Sequence, residues 1–399
     1  MLTDPYILPT TASFPNASAQ NNVLPTLYGD LSENSSAGVT NCPCINNVAH
    51  VYAIAGHGIL SIAKGNTFRV YEQGILTTKS YQVNTGIALY GSTIATLTFF
   101  EAPTDPITIA CKGKTDVSGN LITNPVDIIL DLLSDDATLD DTAISRARQT
   151  ATRLNYTCAG AIVQDTTYAT LLTQIMSTFL GDWYISGDKE LVLSFDATGV
   201  NEQVAGFLRR ARCDVQSATR RLINVVNQVQ VNYAVAFVEI DKRFKKGFRA
   251  DNYYMTDDGT ASKDDNSQQL YGVRQAVLDL NWTRSTLAAQ AIQARCIEKF
   301  KTPVWLIDIT EHSSENFLVE RGDYVVFDCD FLRDEDGLPL RAQIGRVLDI
   351  DKDMDTLSVG FQIQVIGKFY PTSPITYNGQ HTYGDGTTFG GTRAREVTS

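Results

Sequence analysis

The sequence predicts an α+β protein that is mainly β, with two tube-like β-barrel or sandwich domains flanking a mixed helical insert domain. Short apolar runs cut by turn residues fill the chain from Leu24 to about Cys111 and return after Leu222, a spacing typical of small all-β domains. Between them, apolar residues recur every three or four positions, which indicates helices. Hydrophobic residues make up 43% of the chain and charged residues 20%, so a sizeable core can be buried.

The first β region is predicted from four apolar runs with turns between them. Gly65-Asn66 and Gln73-Gly74 are the turn signals. We expect strands at His50–Ala55, Thr67–Tyr71, Lys79–Val83 and Thr93–Phe100.

Three helices are predicted in the insert. Asn124 caps the first and Pro125 occupies its first helical position. The inward face of the first helix is Val126, Ile129, Leu130 and Leu133. The second helix is predicted from Asp141 to Leu154, with Ile144, Ala147, Ala151 and Leu154 inward. The third starts after Asp165, with Tyr168, Leu172, Ile175 and Phe179 inward. Gly181 ends the third helix, and Trp183 to Phe195 is predicted to be a hairpin.

The second β region begins with a long strand predicted from Leu222 to Ile240. An Asp-rich loop from Asn252 to Gln269 follows, and Ser285 caps a helix that runs to about Phe300. The later strands are predicted at Val304–Thr310, Asp323–Cys329, Ile344–Ile350 and Leu357–Ile366. The predicted domains are an N-terminal arm at 1–23, a first β domain at 24–112, the insert at 113–209, a second β domain with an inserted helix at 210–371, and a flexible or partner-ordered tail at 372–399.

The net charge and the cysteine pattern limit the classes of function that the chain can have. A formal net charge of -12 argues against gripping phosphate backbones as the main task. The seven cysteines are odd in number and scattered, which argues against a disulfide framework and fits folding in a reducing cytoplasm. There is no signal-peptide pattern and no apolar run near the roughly 20 residues of a membrane span, so stable membrane insertion is not expected.

The best metal candidate is Cys42-Pro43-Cys44 with His50 and His57. Thiolates and imidazoles are zinc ligands, but this spacing matches no common zinc module. We therefore expect no bound metal, and two loop thiols with two unrelated histidines are the alternative interpretation.

Other motifs also favour structure over chemistry. The acidic run Asp349–Asp355 starts like a calcium loop, but Met354 and Gly360 replace the required glycine and final carboxylate. Gly56–Ser61 lacks the third glycine of a dinucleotide loop. Triad residue types occur at Asp308, His312, Ser313 and Ser314 without a nucleophile elbow. The basic stretch from Lys242 to Arg249 indicates an acidic partner only weakly. We expect no catalytic residue, cofactor or metal, and therefore no enzyme.

The order of segments resembles that of phage tail hub proteins, both the baseplate hub and the hub portion of the tail-tip host-specificity protein. Five pieces carry the resemblance over roughly residues 24 to 370: Leu24-Pro-Thr-Leu-Tyr28-Gly29, the helix opened by Asn124-Pro125, the helix to Phe179 with its hairpin, the strand Asn224–Tyr233, and Arg284–Arg295 followed by Trp305 and Arg321-Gly-Asp-Tyr-Val-Val326. The Asp-rich loop and the lack of a large fibre-binding extension depart from the family pattern.

The resemblance implies a homotrimer whose two β domains per chain form a six-fold-like ring that matches a hexameric tail tube. It also implies a distal tail or tail-tube protein, a tape-measure protein and a central fibre or spike protein as partners, with DNA only in transit. The expected location is the virion tail tip or baseplate, after assembly in the host cytoplasm. Two alternatives stay open: a tail-associated cell-wall hydrolase, which a peptidoglycan zymogram would reveal, and a glycan-binding adhesin, which a glycan array would reveal.

Overall fold

The computed structural model of the chain describes residues 4–6, 23–89, 92–104, 106–133, 138–195, 204–220, 222–238, 252–259, 262–333, 337, 339–368, 375–377, 381–383, 388–389 and 392–393. The chain forms two compact units. Unit 1 comprises Met1–Trp183, Glu190–Phe195 and Val226–Lys299, and unit 2 comprises Tyr184–Lys189, Asp196–Val225 and Phe300–Ser399. These units are discontinuous, unlike the continuous domains predicted from the sequence, whose boundaries stay a prediction.

The described residues form short strands and five α-helices, so the prediction of a mainly β, α+β fold is confirmed. The strands are β1 (Pro5–Tyr6), β2 (Thr26–Tyr28), β3 (Thr40–Asn41), β4 (Cys44–Asn46), β5 (Val51–Ala55), β6 (Arg69–Glu72), β7 (Ile75–Leu76), β8 (Tyr81–Leu89), β9 (Ser92–Phe99), β10 (Ile107–Ala110), β11 (Gly160–Ile162), β12 (Thr166–Thr167), β13 (Gly181–Ile185), β14 (Leu191–Phe195), β15 (Val204–Leu208), β16 (Cys213–Arg220), β17 (Gln228–Val235), β18 (Tyr253–Asp257), β19 (Gln275–Leu280), β20 (Trp305–Glu311), β21 (Tyr324–Arg333), β22 (Pro339–Asp353), β23 (Ser358–Lys368), β24 (Ile375–Tyr377), β25 (His381–Tyr383), β26 (Thr388–Phe389) and β27 (Thr392–Arg393). The helices are α1 (Pro125–Leu133), α2 (Asp141–Arg153), α3 (Tyr168–Thr178), α4 (Asp265–Tyr271) and α5 (Thr286–Phe300).

Unit 1 contains two four-stranded sheets with the strand orders β3-β10-β6-β7 and β4-β5-β9-β8. Val70 and Ile109 of the first sheet share one hydrophobic core with Ile54 and Leu97 of the second. A common core between two sheets is the arrangement of a sandwich. A third sheet in this unit has the order β18-β17-β19, with β17 and β19 parallel.

The first two helices form where they are predicted, but the predicted inward residues Leu130 and Leu154 are only half-buried, and Ile128 and Leu132 complete the buried face of α1. Asn124 Oδ1 accepts from Val126 N at 2.9 Å, and the Asp140 side chain caps α2 through Ala143 N at 2.9 Å. Ile144, Ala147 and Ala151 form the buried face of α2 as predicted. In α3, Leu172 and Ile175 are buried, but Leu171 and Met176 complete the face and Tyr168 is half-buried. The inward face predicted for α3 is thus wrong in part, because the buried side of the helix leaves Tyr168 partly exposed to solvent.

Two predictions in the second half of the chain are wrong. The strand predicted from Leu222 starts with a short 3-10 turn at Leu222–Asn224, and β17 covers only Gln228–Val235. The predicted loop from Asn252 to Gln269 contains β18 and the start of α4. The strand β18 forms because it pairs antiparallel with β17. The helix α4 forms because the Asp264 side chain accepts a hydrogen bond from Ser267 N at 2.8 Å.

Unit 2 is built on a six-stranded sheet with the order β15-β21-β22-β23-β20-β16. Adjacent strands lie about 4.8 Å apart, so the outer strands of a flat sheet of this size would be about 24 Å apart. Leu208 ends β15 and Cys213 begins β16, and five Cα–Cα steps reach at most about 19 Å. The sheet must therefore curl so that its two edges approach each other around the core of Ile307, Phe327 and Phe361.

The curled sheet stays open, and no sheet closes into a barrel within the described ranges. Two short hairpins, β24–β25 and β26–β27, form the described parts of the C-terminal segment. The rest of the predicted tail, most of the predicted arm and the basic stretch Lys242–Arg249 lie outside the described residues. No helix in the described part of the chain is both long and apolar enough to cross a membrane.

Candidate functional site

Tyr28 and the first helix, two pieces of the sequence resemblance, are joined by a partly buried polar network in unit 1. The Tyr28 hydroxyl donates to Asp131 Oδ2 at 2.5 Å, and Lys114 Nζ donates to the same oxygen at 2.8 Å. Burial, with the nearby Asp131 carboxylate, raises the pKa of Tyr28 well above its ordinary value, so the hydroxyl keeps its proton and stays a donor. The Leu24–Gly29 segment is thereby fixed to α1.

Gly29 lies where three segments cross. Its backbone N donates to Ile122 O at 3.1 Å, and its backbone O accepts from Gly113 N at 2.9 Å. Its φ is +68°, and a Cβ atom at this position would lie 2.2 Å from Cys158 O. Only glycine fits here, because any side chain would meet backbone in a left-handed conformation.

A caged arginine holds the strand β17 and the start of α5 together. Arg284 is 1% exposed, and its guanidinium donates to Glu33 O at 2.8 Å, Asn34 O at 3.1 Å and Val235 O at 2.6 Å. It also lies 5.7 Å from the centre of the Tyr254 ring. Burial lowers the pKa of Arg284 to about 10, so the group stays charged at neutral pH and orders three backbone segments.

Sequence reasoning missed the role of Arg284, although a signal was present. A cation at the N-terminal end of a helix is opposed by the helix dipole, and Arg284 lies two residues before Thr286, where α5 begins. Trp282, two residues earlier, packs on Gly160 so closely that a Cβ there would lie 2.5 Å from the indole ring. Both side chains therefore serve packing and positioning.

The four candidate metal ligands have separate roles in the structure. Cys42 is buried in the core that the two four-stranded sheets share, and Cys44 begins β4 opposite Tyr52. His50 adopts a φ of +52° in the turn before β5. Among the described residues, no group of three or more His, Cys, Asp or Glu side chains is placed to hold a metal ion.

His57 has both ring nitrogens engaged by backbone. Leu27 N donates to His57 Nε2 at 2.9 Å, and His57 Nδ1 donates to Gly58 O at 2.7 Å. Burial lowers the pKa of His57 to about 4, so the ring is neutral at pH 7. Because the one unprotonated nitrogen already accepts a hydrogen bond, His57 has no lone pair to offer a metal in this arrangement.

The residues with triad chemistry do not form a triad. His312 Nε2 pairs with Asp214 Oδ2 at 3.0 Å, Asp308 accepts from Ser217 Oγ, and Ser313 Oγ accepts from Arg212 at 3.2 Å. The acidic run forms the β22–β23 turn, where Asp353 Oδ1 accepts from Asp355 N and Thr356 N at 2.9 and 3.2 Å. The Asp353 carboxylate, which a calcium loop would need as a ligand, is thus hydrogen-bonded to the backbone of this turn.

A pocket of about 480 Å³ lies beside Cys42-Pro43-Cys44 in unit 1. Its described lining has no charged side chain and consists of Val23, Pro25, Asn41, Cys42, Pro43, Cys44, Tyr52, Pro106, Ile107, Val163 and Phe237. Burial raises the pKa of Cys42, and the pKa of Tyr52 is raised to about 12 for the same reason. Both groups are therefore neutral, and the pocket suits an uncharged apolar group.

Comparisons with solved structures yield several similar chains, two of which are tail proteins. No protein-family model matches the sequence, and no curated protein matches it. The chain is similar to a tail protein from Neisseria meningitidis MC58, with 13% identity, a TM-score of 0.31, and coverage of 71% of this chain and 78% of that one. It is also similar to the 43 kDa tail protein of prophage MuSo2 from Shewanella oneidensis, with 9% identity, a TM-score of 0.32, and coverage of 86% and 94%. These TM-scores are too low for either likeness to establish a family or a function.

Proposed function

We propose that this chain is a non-enzymatic structural subunit of a bacteriophage tail, located in the hub of the baseplate or tail tip. The observation that carries the proposal is the assembly of the resembling pieces around shared buried contacts. Tyr28 of the first piece binds Asp131 of the second, and Arg284 of the last piece binds the carbonyl of Val235 at the end of β17. Segments separated by 103 and by 49 residues thus support one another through polar groups that have a structural use.

The proposed subunit assembles as a homotrimer. Each chain would contribute its two β domains, 24–112 and 210–371, to one ring, so that three copies present six similar domains to a hexameric tail tube. This arrangement would resolve the mismatch between a six-fold tube and a three-fold tip. The insert at 113–209 would project toward the tip.

The proposed partners follow from that position. A distal tail or tail-tube protein would lie on one side, a central fibre or spike protein on the other, and the end of the tape-measure protein inside. The trimer would close the tube, and on host contact it would open a path for DNA. A chain of net charge -12 suits a conduit, because DNA passing through it is repelled rather than retained.

Two experiments on the phage test this function. A peptide tag on the chain, labelled with gold and imaged on intact virions, should mark the distal end of the tail. A phage carrying a stop codon early in the coding sequence should form filled heads without complete tails, because the tube lacks its initiating end. Label on the head or along the tube, or complete tails without this chain, would contradict the proposal.

A further inference from the structure

In unit 2, one side-chain amide joins β15, an edge strand of the curled sheet, to β20, the strand next to the opposite edge. Asn316 Nδ2 donates to the backbone oxygen of Phe207 in β15 at 3.1 Å and to Glu311 Oε2 at the end of β20 at 2.7 Å. In the strand order of the sheet, β15 and β20 are separated by β21, β22 and β23. The amide therefore closes the seam that curling brings together, and we call Glu311 and Asn316 the seam pair.

The seam pair is tightly enclosed. Glu311 is 0% exposed and Asn316 is 1% exposed. A Cβ atom on Gly206 would lie 2.4 Å from Asn316 Oδ1 and 2.8 Å from Val319 Cγ2. The loop after β20 thus lies close against β15. A small shift of Asn316 cannot break its hydrogen bond to Glu311 and keep the one to Phe207.

The carboxyl of Glu311 is incompletely satisfied. Glu311 Oε1 has no hydrogen-bond partner among the residues that the structure describes. A buried carboxylate with one hydrogen bond is costly to keep ionised, because the charge loses its water without full compensation. The neutral acid carries a smaller penalty in the same place.

The charged and titratable neighbours of Glu311 come from three segments of the chain. Glu315 follows in the same loop, Arg209 and Arg212 precede β16, and Cys213 lies opposite Glu311 in the β16–β20 pair. Both arginines form ion pairs with Glu315, Arg209 at 3.8 Å and Arg212 at shorter range. The adjacent His312 pairs with Asp214 at 3.0 Å. The cations nearest the seam are thus engaged by Glu315, while the Glu311 side chain is itself fully buried.

We propose that the seam pair is a protonation-sensitive latch of the unit 2 sheet, in which neutral Glu311 keeps β15 joined to β20 and ionised Glu311 loosens that seam. The energetics have a definite sign. Burial, and then repulsion from Glu315, raise the pKa of Glu311 above its ordinary value, although Asn316 and the two arginines oppose that rise. The folded seam therefore holds the proton more tightly than the unfolded chain does. Its stabilisation is complete below the ordinary glutamate range and is lost as pH rises through the folded pKa.

Amide hydrogen exchange on the full chain between pH 5 and pH 8, corrected for intrinsic rates, tests the latch. In the unmodified chain we expect protection of the β15 and β16 amides to fall as pH rises, while the amides of β22 and β23 change less. Glu311→Gln keeps the shape and removes the charge, so protection at pH 8 should equal that at pH 5. Glu101→Gln removes the charge of an exposed glutamate in unit 1, so it is the control and should keep the pH dependence at the seam.

Infrared difference spectra between pH 5 and pH 8 provide a readout that needs no folded variant. The unmodified chain should lose a protonated-carboxyl band that titrates above the ordinary glutamate range, together with the loss of seam protection. Three results would each overturn the latch: no pH dependence at the seam, an unchanged pH dependence in Glu311→Gln, or no protonated carboxyl above the ordinary range.

Discussion

At the scale of single residues, this chain uses polar and glycine positions to fix backbone crossings. Gly29, His57 and Arg284 each hold segments that are distant in sequence, through a close backbone approach or through hydrogen bonds to backbone. None of these contacts can be derived from residue type alone, because the partners become neighbours only in the folded chain. In the sequence, His57 and the Cys42-Pro43-Cys44 segment lack zinc-module spacing. The structure adds that both ring nitrogens of His57 are hydrogen-bonded to backbone atoms.

Gly29 offers the sharpest test at this scale. Gly29→Ala should lower the free energy of unfolding by about 3 kcal/mol or more, since it adds left-handed strain to a clash with backbone. Gly65→Ala is the matched control, because Gly65 has a φ of +84° with nothing within 4 Å of an added Cβ. Its cost should be only about 1–2 kcal/mol. Equal losses in chemical denaturation would show that the crossing at Gly29 is not as close as described.

His57 predicts a pH dependence of stability. Its pKa is lowered from 6.5 to about 4 by burial, so the unfolded chain takes up a proton more readily than the folded one. The stabilisation is complete above about pH 6.5 and is lost as pH falls toward 4, by about 3 kcal/mol in total. Urea titrations of the unmodified chain and of His57→Gln should differ in slope over this range. Parallel slopes for the two proteins would refute a buried neutral His57.

At the scale of elements, local signals predicted α1, α2 and most of the longer strands, but they missed β18 and α4. The Asn124 cap and the apolar periodicity predicted α1 and α2, because these signals depend only on near neighbours. The strand β18 lies in a polar stretch whose residues give no alternation. It exists because it pairs with β17, with Tyr253 opposite Val235 and Asp257 opposite Val231. The seam pair escaped prediction for the same reason, since curling of the sheet brings Phe207 and Asn316 together.

The Asn124 cap can be separated from its other contacts. Asn124 Oδ1 accepts from Val126 N, while its Nδ2 donates to Arg148 O and Thr152 Oγ1 on α2. Asn124→Ala removes both and should cost about 1 kcal/mol or more, whereas Asn124→Ser keeps a capping oxygen and should cost less. The two free energies of unfolding from chemical denaturation decide this. A serine variant as unstable as the alanine variant would mean that the links to α2, rather than the cap, fix α1.

At the scale of the whole molecule, the proposed hub is a ring through which DNA passes. DNA carries about one negative charge per 1.7 Å of axis, and the chain has a net charge of -12. We expect the inner wall of the ring to be net negative and the Lys242–Arg249 stretch to face a protein neighbour. Unpaired charges are rarely buried, so most of the negative charge must lie on surfaces.

Binding of double-stranded DNA to the isolated chain provides a check on that expectation. A fluorescence anisotropy titration at low and at physiological salt should show no tight binding at either. A basic lining would instead release counterions and give an affinity that falls steeply with salt. Tight, salt-sensitive binding would contradict a repelling conduit, and the variant with Lys242, Lys245 and Lys246 changed to Gln would show whether the basic stretch causes it.

The central claim is a trimeric hub, and the copy number in the assembled tail tests it most directly. Electron cryomicroscopy of intact virions, processed without imposed symmetry at the distal end of the tail, would count the copies and locate their domains. The account predicts three copies per tail, with the 24–112 and 210–371 domains of each copy in one ring against the six-fold tube. Six copies, or a single copy attached outside the tube, would contradict it.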